Sequence, residues 1–203
     1  MKKIIWLFSA LVLVAFNACT QETVDETTAQ SLTAFEQEDL LFLVEEEKLA
    51  RDVYLYSYDR YGFYVFDHIS SSEQRHMDRV AFLLNQYGID NPTIGQAQGV
   101  FTNPTLQQLY NDLTAQSSIS LLDALKVGAT IEDLDISDID RMASRTNKVD
   151  ILQVQENLTC GSRNHMRAFS SKISENGGEY IPQFISTAVY ESILNGPKEA
   201  CGK

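Results

Sequence analysis

From residue 35 onward, apolar residues recur at helical spacing, and each of four long segments carries an ionisable residue in the middle of its apolar stripe. Steps of three and four residues keep one face of a helix turned toward its neighbours. In the first segment, about Phe35 to Tyr61 and stopped by Gly62, these steps give Leu40, Val44, Glu47, Arg51, Tyr54 and Tyr58. The second follows a cap at Asp67 or Ser70 and ends at Tyr87-Gly88; its stripe is Ile69, Glu73, His76, Val80, Leu83 and Tyr87. The third, about Ser120 to Met142, gives Leu121, Leu125, Gly128, Glu132, Asp135, Ile139 and Met142. The fourth, about Val149 to Ile173, gives Ile151, Val154, Leu158, Gly161 or Ser162, His165, and Ala168 or Phe169. Four long helices with short connections define an all-α bundle. Asn103-Pro104-Thr105 starts a shorter helix to about Gln116 in the second connection. A last short helix spans about Pro182 to Leu194.

Burying a lone carboxylate costs several kcal/mol, so one per helix would unfold a domain of ordinary stability unless something compensates. A divalent cation does so, because carboxylate and imidazole are ligands that iron, manganese and zinc accept. Glu73 and His76 form an (i, i+3) pair of the kind that dimetal carboxylate bundles use to present two ligands inward. Of the three histidines, two, His76 and His165, fall on the stripes. The candidate metal ligands are therefore Glu47, Glu73, His76, Glu132, Asp135 and His165. Each also has an ordinary reading when taken alone. Glu45-Glu46-Glu47-Lys48 suits a charged face with Glu47 paired to Arg51, and Glu132 to Asp140 suits a solvated acidic face. A bundle that keeps a buried polar network, with Arg51 neutralising the acids, needs no metal. Tyr54, Tyr58 and Tyr61 read chiefly as packing, and His68 as a surface residue.

The first residues bear on compartment. Lys2 and Lys3 precede a nearly unbroken apolar run from Ile4 to Phe16, too short for a comfortable permanent span and suited to a signal peptide over residues 1–18. Cys19 directly follows Asn17-Ala18 and resembles a lipidation site, although Phe16 and Asn17 depart from the usual lipobox residues. This reading gives an exported cell-envelope protein held by an N-terminal lipid anchor, outer-membrane or periplasmic. Residues 19–31 then form a polar tether, and residues 32–203 one domain with ample length for a core. Without Lys2 and Lys3 the net charge of −12 becomes −14, which argues against a nucleic-acid partner. Cys160 and Cys201 remain as a disulfide candidate for an oxidising compartment, and no C-x-x-C spacing occurs.

Several motifs carry a family resemblance. Glu47-Lys-Leu-Ala50-Arg51-Asp-Val-Tyr54 resembles the first helix of rubrerythrin-like proteins, and Ser72-Glu73-Gln-Arg-His76 their second. Gly128-x-x-x-Glu132-x-x-Asp135 is similar to their third helix, and His165 stands where their fourth-helix histidine would be. The whole run from about Leu32 to Leu194 resembles a bacterial ferritin-like family labelled a domain of unknown function. The resemblance implies a ferritin-like antiparallel four-helix bundle with short extra helices in the second connection and at the C-terminus. It also implies a divalent metal, iron first, with manganese or zinc as alternatives. One departure stands out: rubrerythrin-like proteins carry a bridging glutamate three residues before the fourth-helix histidine, and here that position is Ser162. Glu156, nine residues before His165, falls on the opposite face at about 100° per residue. A mononuclear or asymmetric dimetal site is therefore as open as a symmetric one.

Three functions fit these residues. The first is a redox centre acting on oxygen, peroxide or Fe(II), with an external electron donor, since no rubredoxin-like cysteine quartet is present. The second is a module that binds a divalent cation without turnover. The third is a structural envelope bundle that has lost the metal. A homodimer is compatible with each. No G-x-S-x-G elbow, glycine-rich phosphate loop or H-E-x-x-H motif occurs.

Overall fold

The computed structural model describes residues 31–202, so the signal-peptide and Cys19 readings, with the tether up to residue 30, lie outside the described residues. Those residues form six helices and no strand: α1 (Ala34–Tyr61), α2 (Tyr64–Gln86), α3 (Pro104–Ser117), α4 (Leu121–Ala143), α5 (Val149–Glu175) and α6 (Thr187–Asn195). The start of α1 is fixed by a capping box in which Thr33 and Glu36 satisfy each other's backbone N–H groups. Its end is Gly62, whose φ of 59° suits a residue without a Cβ and lets its N–H reach Tyr58 O at 2.7 Å.

Two helix starts differ from the sequence expectation. α2 begins at Tyr64, not after Asp67 or Ser70, and its N-cap Phe63 makes no side-chain cap. Ser70 Oγ donates to Asp67 O inside the helix instead of capping it. α6 begins at Thr187, capped by Ser186, and not near Pro182. The cause is Asp133, whose buried carboxylate accepts the backbone N–H groups of Gln183, Phe184 and Ile185 and so holds that segment out of a helix.

α1 packs on α2 and α4 on α5, while α1 also meets α4 and α2 meets α5. α3 lies across α1 and α4, and α6 rests on α5. The interior is two apolar clusters. One contains Val53, Phe66, Leu125 and Phe169; the other contains Leu40, Leu84, Ile139 and Leu158. Burial of these side chains is the main source of stability, at roughly 1.5–3 kcal/mol per large apolar residue before entropy. α1 and α5 run from the second cluster toward the first, α2 and α4 from the first toward the second. On α1, α2 and α5 the stripe's ionisable residues fall between them, and on α4 Glu132 and Asp135 lie at the edge of the first cluster nearest the second. The sequence therefore folds into an apolar body with a polar layer across its middle.

The acidic run at the start of that layer is not a solvated face. Glu45, Glu46, Glu47 and Lys48 are all buried. Glu45 accepts the N–H groups of Thr102 and Asn103 at 2.5 and 3.0 Å, and Lys48 pairs with Asp52 at 2.5 Å while donating to Ala97 O. These contacts pin the α2–α3 connection to the flank of α1. Arg51 is turned away from the central acids, toward Asp52 and Gln74, so it does not neutralise them.

Candidate metal centre

Four helices each send side chains into the polar layer: Glu46 and Glu47 from α1, Glu73 and His76 from α2, Glu132 and Asp135 from α4, and His165 from α5. All seven are buried, and Glu47, Glu73 and Glu132 are wholly so. The ligand atoms fall into two groups, Glu47–Glu73–His76 and Glu73–Glu132–His165, and within each group they lie within 4.8 Å of one another. Glu73 belongs to both. Its Oε2 is 2.7 Å from His76 Nδ1 and its Oε1 is 2.8 Å from His165 Nδ1. Glu47 Oε2 approaches His76 Nδ1 to 3.1 Å, and Glu132 Oε2 approaches His165 Nδ1 to 3.5 Å. The two imidazoles are stacked with centroids 5.7 Å apart.

Of these short contacts only His76 Nδ1 with Glu47 Oε2 has the geometry of a hydrogen bond. Both oxygens of Glu73, Oε1 of Glu47, Oε2 of Glu132 and Nδ1 of His165 lack a hydrogen-bond partner despite their closeness. A ring nitrogen has one in-plane direction to offer, and two carboxylates converge on each Nδ1. Convergent ligand atoms that are mostly left without a hydrogen-bond partner are the arrangement that a cation satisfies, and leaving such atoms unpaired is costly. The donor set of two imidazoles and three carboxylates thus fits divalent metal at two adjacent positions.

Without metal, protons do this work. Burial pushes His76 down, but the Glu73 and Glu47 carboxylates outweigh it and hold the imidazole well above its usual value. Burial of His165 is likewise outweighed by Glu73 and Glu132, which lift it to about 10. Burial raises Glu73, and the two imidazoles reverse that, keeping it below the usual carboxylate range. Glu47 goes up to about 7 because burial exceeds the help from His76. Glu132 is raised by burial, which His165 only partly offsets.

Asp135 shares the layer but stands outside both groups. Its two oxygens are buried without a partner, and burial with Glu46, Glu47, Glu132 and Glu73 nearby pushes it well above its ordinary value. Glu46, absent from the sequence-derived ligands, is in the same condition beside Asp138. Its position one residue from Glu47 puts it off the stripe, so the period gave no signal for it. Tyr54 donates to Glu132 Oε1 at 2.6 Å and orients that carboxylate. Ser162 donates back to Leu158 O and supplies no carboxylate in place of the missing glutamate. Gly161, however, is required: a Cβ there would lie 2.6 Å from the His76 ring.

Next to it, Cys160 and Cys201 form a disulfide that ties the chain's tail beside the histidines. Exposed His68 takes no part in the centre, and Glu156 is a surface partner of Arg163.

Residues 36–197, which include every member of the polar layer, match the family described as an uncharacterized protein domain, DUF2202. The chain belongs to the DUF2202 family. This DUF2202 domain is 46% identical over 178 residues to the protein MJ0754 of Methanocaldococcus jannaschii, covering 88% of this chain and 96% of that one. The crystal structure of hypothetical protein MJ0754 from Methanococcus jannaschii DSM 2661 superposes with a TM-score of 0.82 at 47% identity, covering 84% of this chain and 97% of that one. The helical fold of the DUF2202 domain is thus shared with a solved structure across nearly its whole length.

Proposed function

We propose that this DUF2202 protein is a ferritin-like four-helix metalloprotein whose polar layer holds two divalent cations, with iron as the resident metal and Glu73 shared between the positions. The observation that carries this reading is the pair of buried three-residue groups whose ligand atoms converge, most of them without a hydrogen-bond partner. The opposed chain directions of α1 and α5 against α2 and α4 support the antiparallel bundle, and the motifs from Glu47 to His165 support the ferritin-like kinship. Iron supplies one-electron chemistry toward oxygen, peroxide or Fe(II) when bound; manganese offers the same ligands a redox alternative, whereas zinc would leave a binding site without electron transfer.

The protein's own contribution follows from the geometry. His76 and Glu47 define one position, His165 and Glu132 the other, and Glu73 offers one oxygen to each. Tyr54 orients Glu132, and the two apolar clusters close the layer at its two ends. Arg51 is committed to Asp52 and Gln74, which counts against a metal-free bundle neutralised from within. The basic and apolar start and Cys19 support an exported, lipid-anchored position for the domain.

Metal and protons compete for the same atoms. At pH 7 the metal-free centre keeps His165, raised to about 10, and His76, raised well above its usual value, protonated. Loading must therefore release protons, and apparent affinity must rise with pH, by about tenfold per unit for each proton displaced. Calorimetry of Mn(II) binding in buffers of different ionisation enthalpy should find at least about one proton released per ion at pH 7. Binding with no proton release and no pH dependence would contradict ligation by these histidines.

A further inference from the structure

On the outer side of the two histidines lies a cavity of ≈ 350 Å³ lined by His76, Gly161 and His165. Each imidazole turns its Nδ1 inward to the carboxylates, which leaves Nε2 on the outer edge. No hydrogen bond joins either Nε2 to another described residue. A metal-ligating imidazole normally donates its second N–H to a carboxylate, a carbonyl or water, and that outer partner orients the ring and raises its basicity. Here the described residues supply none.

The charge around the cavity is opposite to that of the chain. Arg75, Arg79 and Lys198 line it, in a protein with 28 acidic and 16 basic residues. Among the described residues none of the three has a carboxylate partner, and Arg75 donates only to Ser71 O of its own helix. Most other cations are committed, Arg163 and Arg167 among them. Glu199, the carboxylate in the lining, is consumed by those two arginines. The cavity wall is also held in place. Cys201 is bonded to Cys160, Asn164 Nδ2 donates to Glu199 O, and Gly202 N–H donates to Asn157 Oδ1. Two unmet ring N–H donors at the floor and three uncompensated cations at the rim make a site for negative charge with several acceptor atoms.

We propose that this cavity binds a small inorganic oxyanion that accepts from the Nε2–H groups of His76 and His165 and is neutralised by Arg75, Arg79 and Lys198. The anion is the outer partner that the two metal-ligating histidines otherwise lack, so the role assigned to it rests on the metal-centre reading. The cavity and its cations do not. The anion couples the centre to the surface: its binding orients both rings, and metal binding, by fixing Nδ1 as the ligand, fixes Nε2–H as the donor.

The test is calorimetry of sulfate, doubly charged at neutral pH, into the Zn(II)-loaded chain at low ionic strength. It is paired with ¹⁵N NMR of the histidine rings and elemental analysis of the same sample. One sulfate per chain is expected, with the Nε2–H resonances of His76 and His165 shifting on saturation. The Arg75→Gln/Arg79→Gln variant, altered only at exposed positions on α2, is expected to keep its metal and bind sulfate at least about tenfold more weakly. A fully metal-loaded chain that binds no sulfate would overturn the proposal and leave the metal centre standing. So would sulfate binding that neither moves those resonances nor weakens in the double variant. A chain that takes up no zinc yet binds sulfate with the same arginine dependence would fail the metal reading while supporting the cavity site.

Discussion

Replacing Glu73 with alanine is expected to empty both metal positions at once. Glu73 is the residue common to the two groups, with one oxygen 2.7 Å from His76 Nδ1 and the other 2.8 Å from His165 Nδ1. Removing Glu47 or Glu132 deletes a ligand from one group and leaves the other complete. The Glu73→Ala loss should exceed the roughly 10–100-fold cost of removing an outer partner of a metal ligand. Metal stabilises only the folded chain, so the melting temperature of the wild type should rise with added Mn(II) while that of Glu73→Ala stays flat. Metal content after dialysis against a competing chelator checks both statements. If Glu73→Ala keeps as much metal as Glu47→Ala, Glu73 is not the shared ligand.

Asp133→Ala is expected to produce the largest loss of stability outside the metal centre. The wholly buried carboxylate accepts from Tyr180 Oη at 2.8 Å and from the backbone of Gln183, Phe184 and Ile185 at 2.5, 3.1 and 2.8 Å. Hydrogen bonds to a charged acceptor contribute about 1.5–3 kcal/mol each. Gln183 and Phe184 are exposed and can return to water, whereas the Tyr180 hydroxyl cannot do so cheaply. Their joint loss should therefore cost roughly 3 kcal/mol or more. Urea unfolding of the metal-free protein measures it, and metal stoichiometry should be unchanged, because Asp133 points to the 180–185 segment and not into the layer. A cost below about 1 kcal/mol would mean that this segment is anchored by other contacts.

Much of this arrangement is legible in the sequence, and the exceptions have physical causes. The helical period placed Glu47, Glu73, His76, Glu132, Asp135 and His165 on inward stripes, and all six are buried. The same period could not foresee that Glu45, Glu46 and Lys48 would be buried with Glu47. Consecutive residues fan out by about 100° each, so no single stripe holds them. Glu45 and Lys48 are buried because α1 is covered on a further side by the α2–α3 connection, whose N–H groups and carbonyl they bind, whereas Glu46 is buried beside Asp138 of α4. Sequence spacing put Arg51 on the stripe, but its long side chain turns to Asp52 and Gln74. Asp67 and Ser70 are good capping residues by chemistry, yet α2 starts before them because Gly62 ends α1 abruptly and Phe63 opens α2 without a side-chain cap. Asp133 lay hidden in an acidic run, since only the return of the tail brings its partners to it.

The most direct test of the central claim is anomalous diffraction from crystals of the chain loaded anaerobically with Mn(II) and washed free of excess metal. Two peaks are expected in the polar layer, one between Glu73 and His76 and one between Glu73 and His165. A map with no peak in that layer, or with metal only on surface carboxylates, would contradict it.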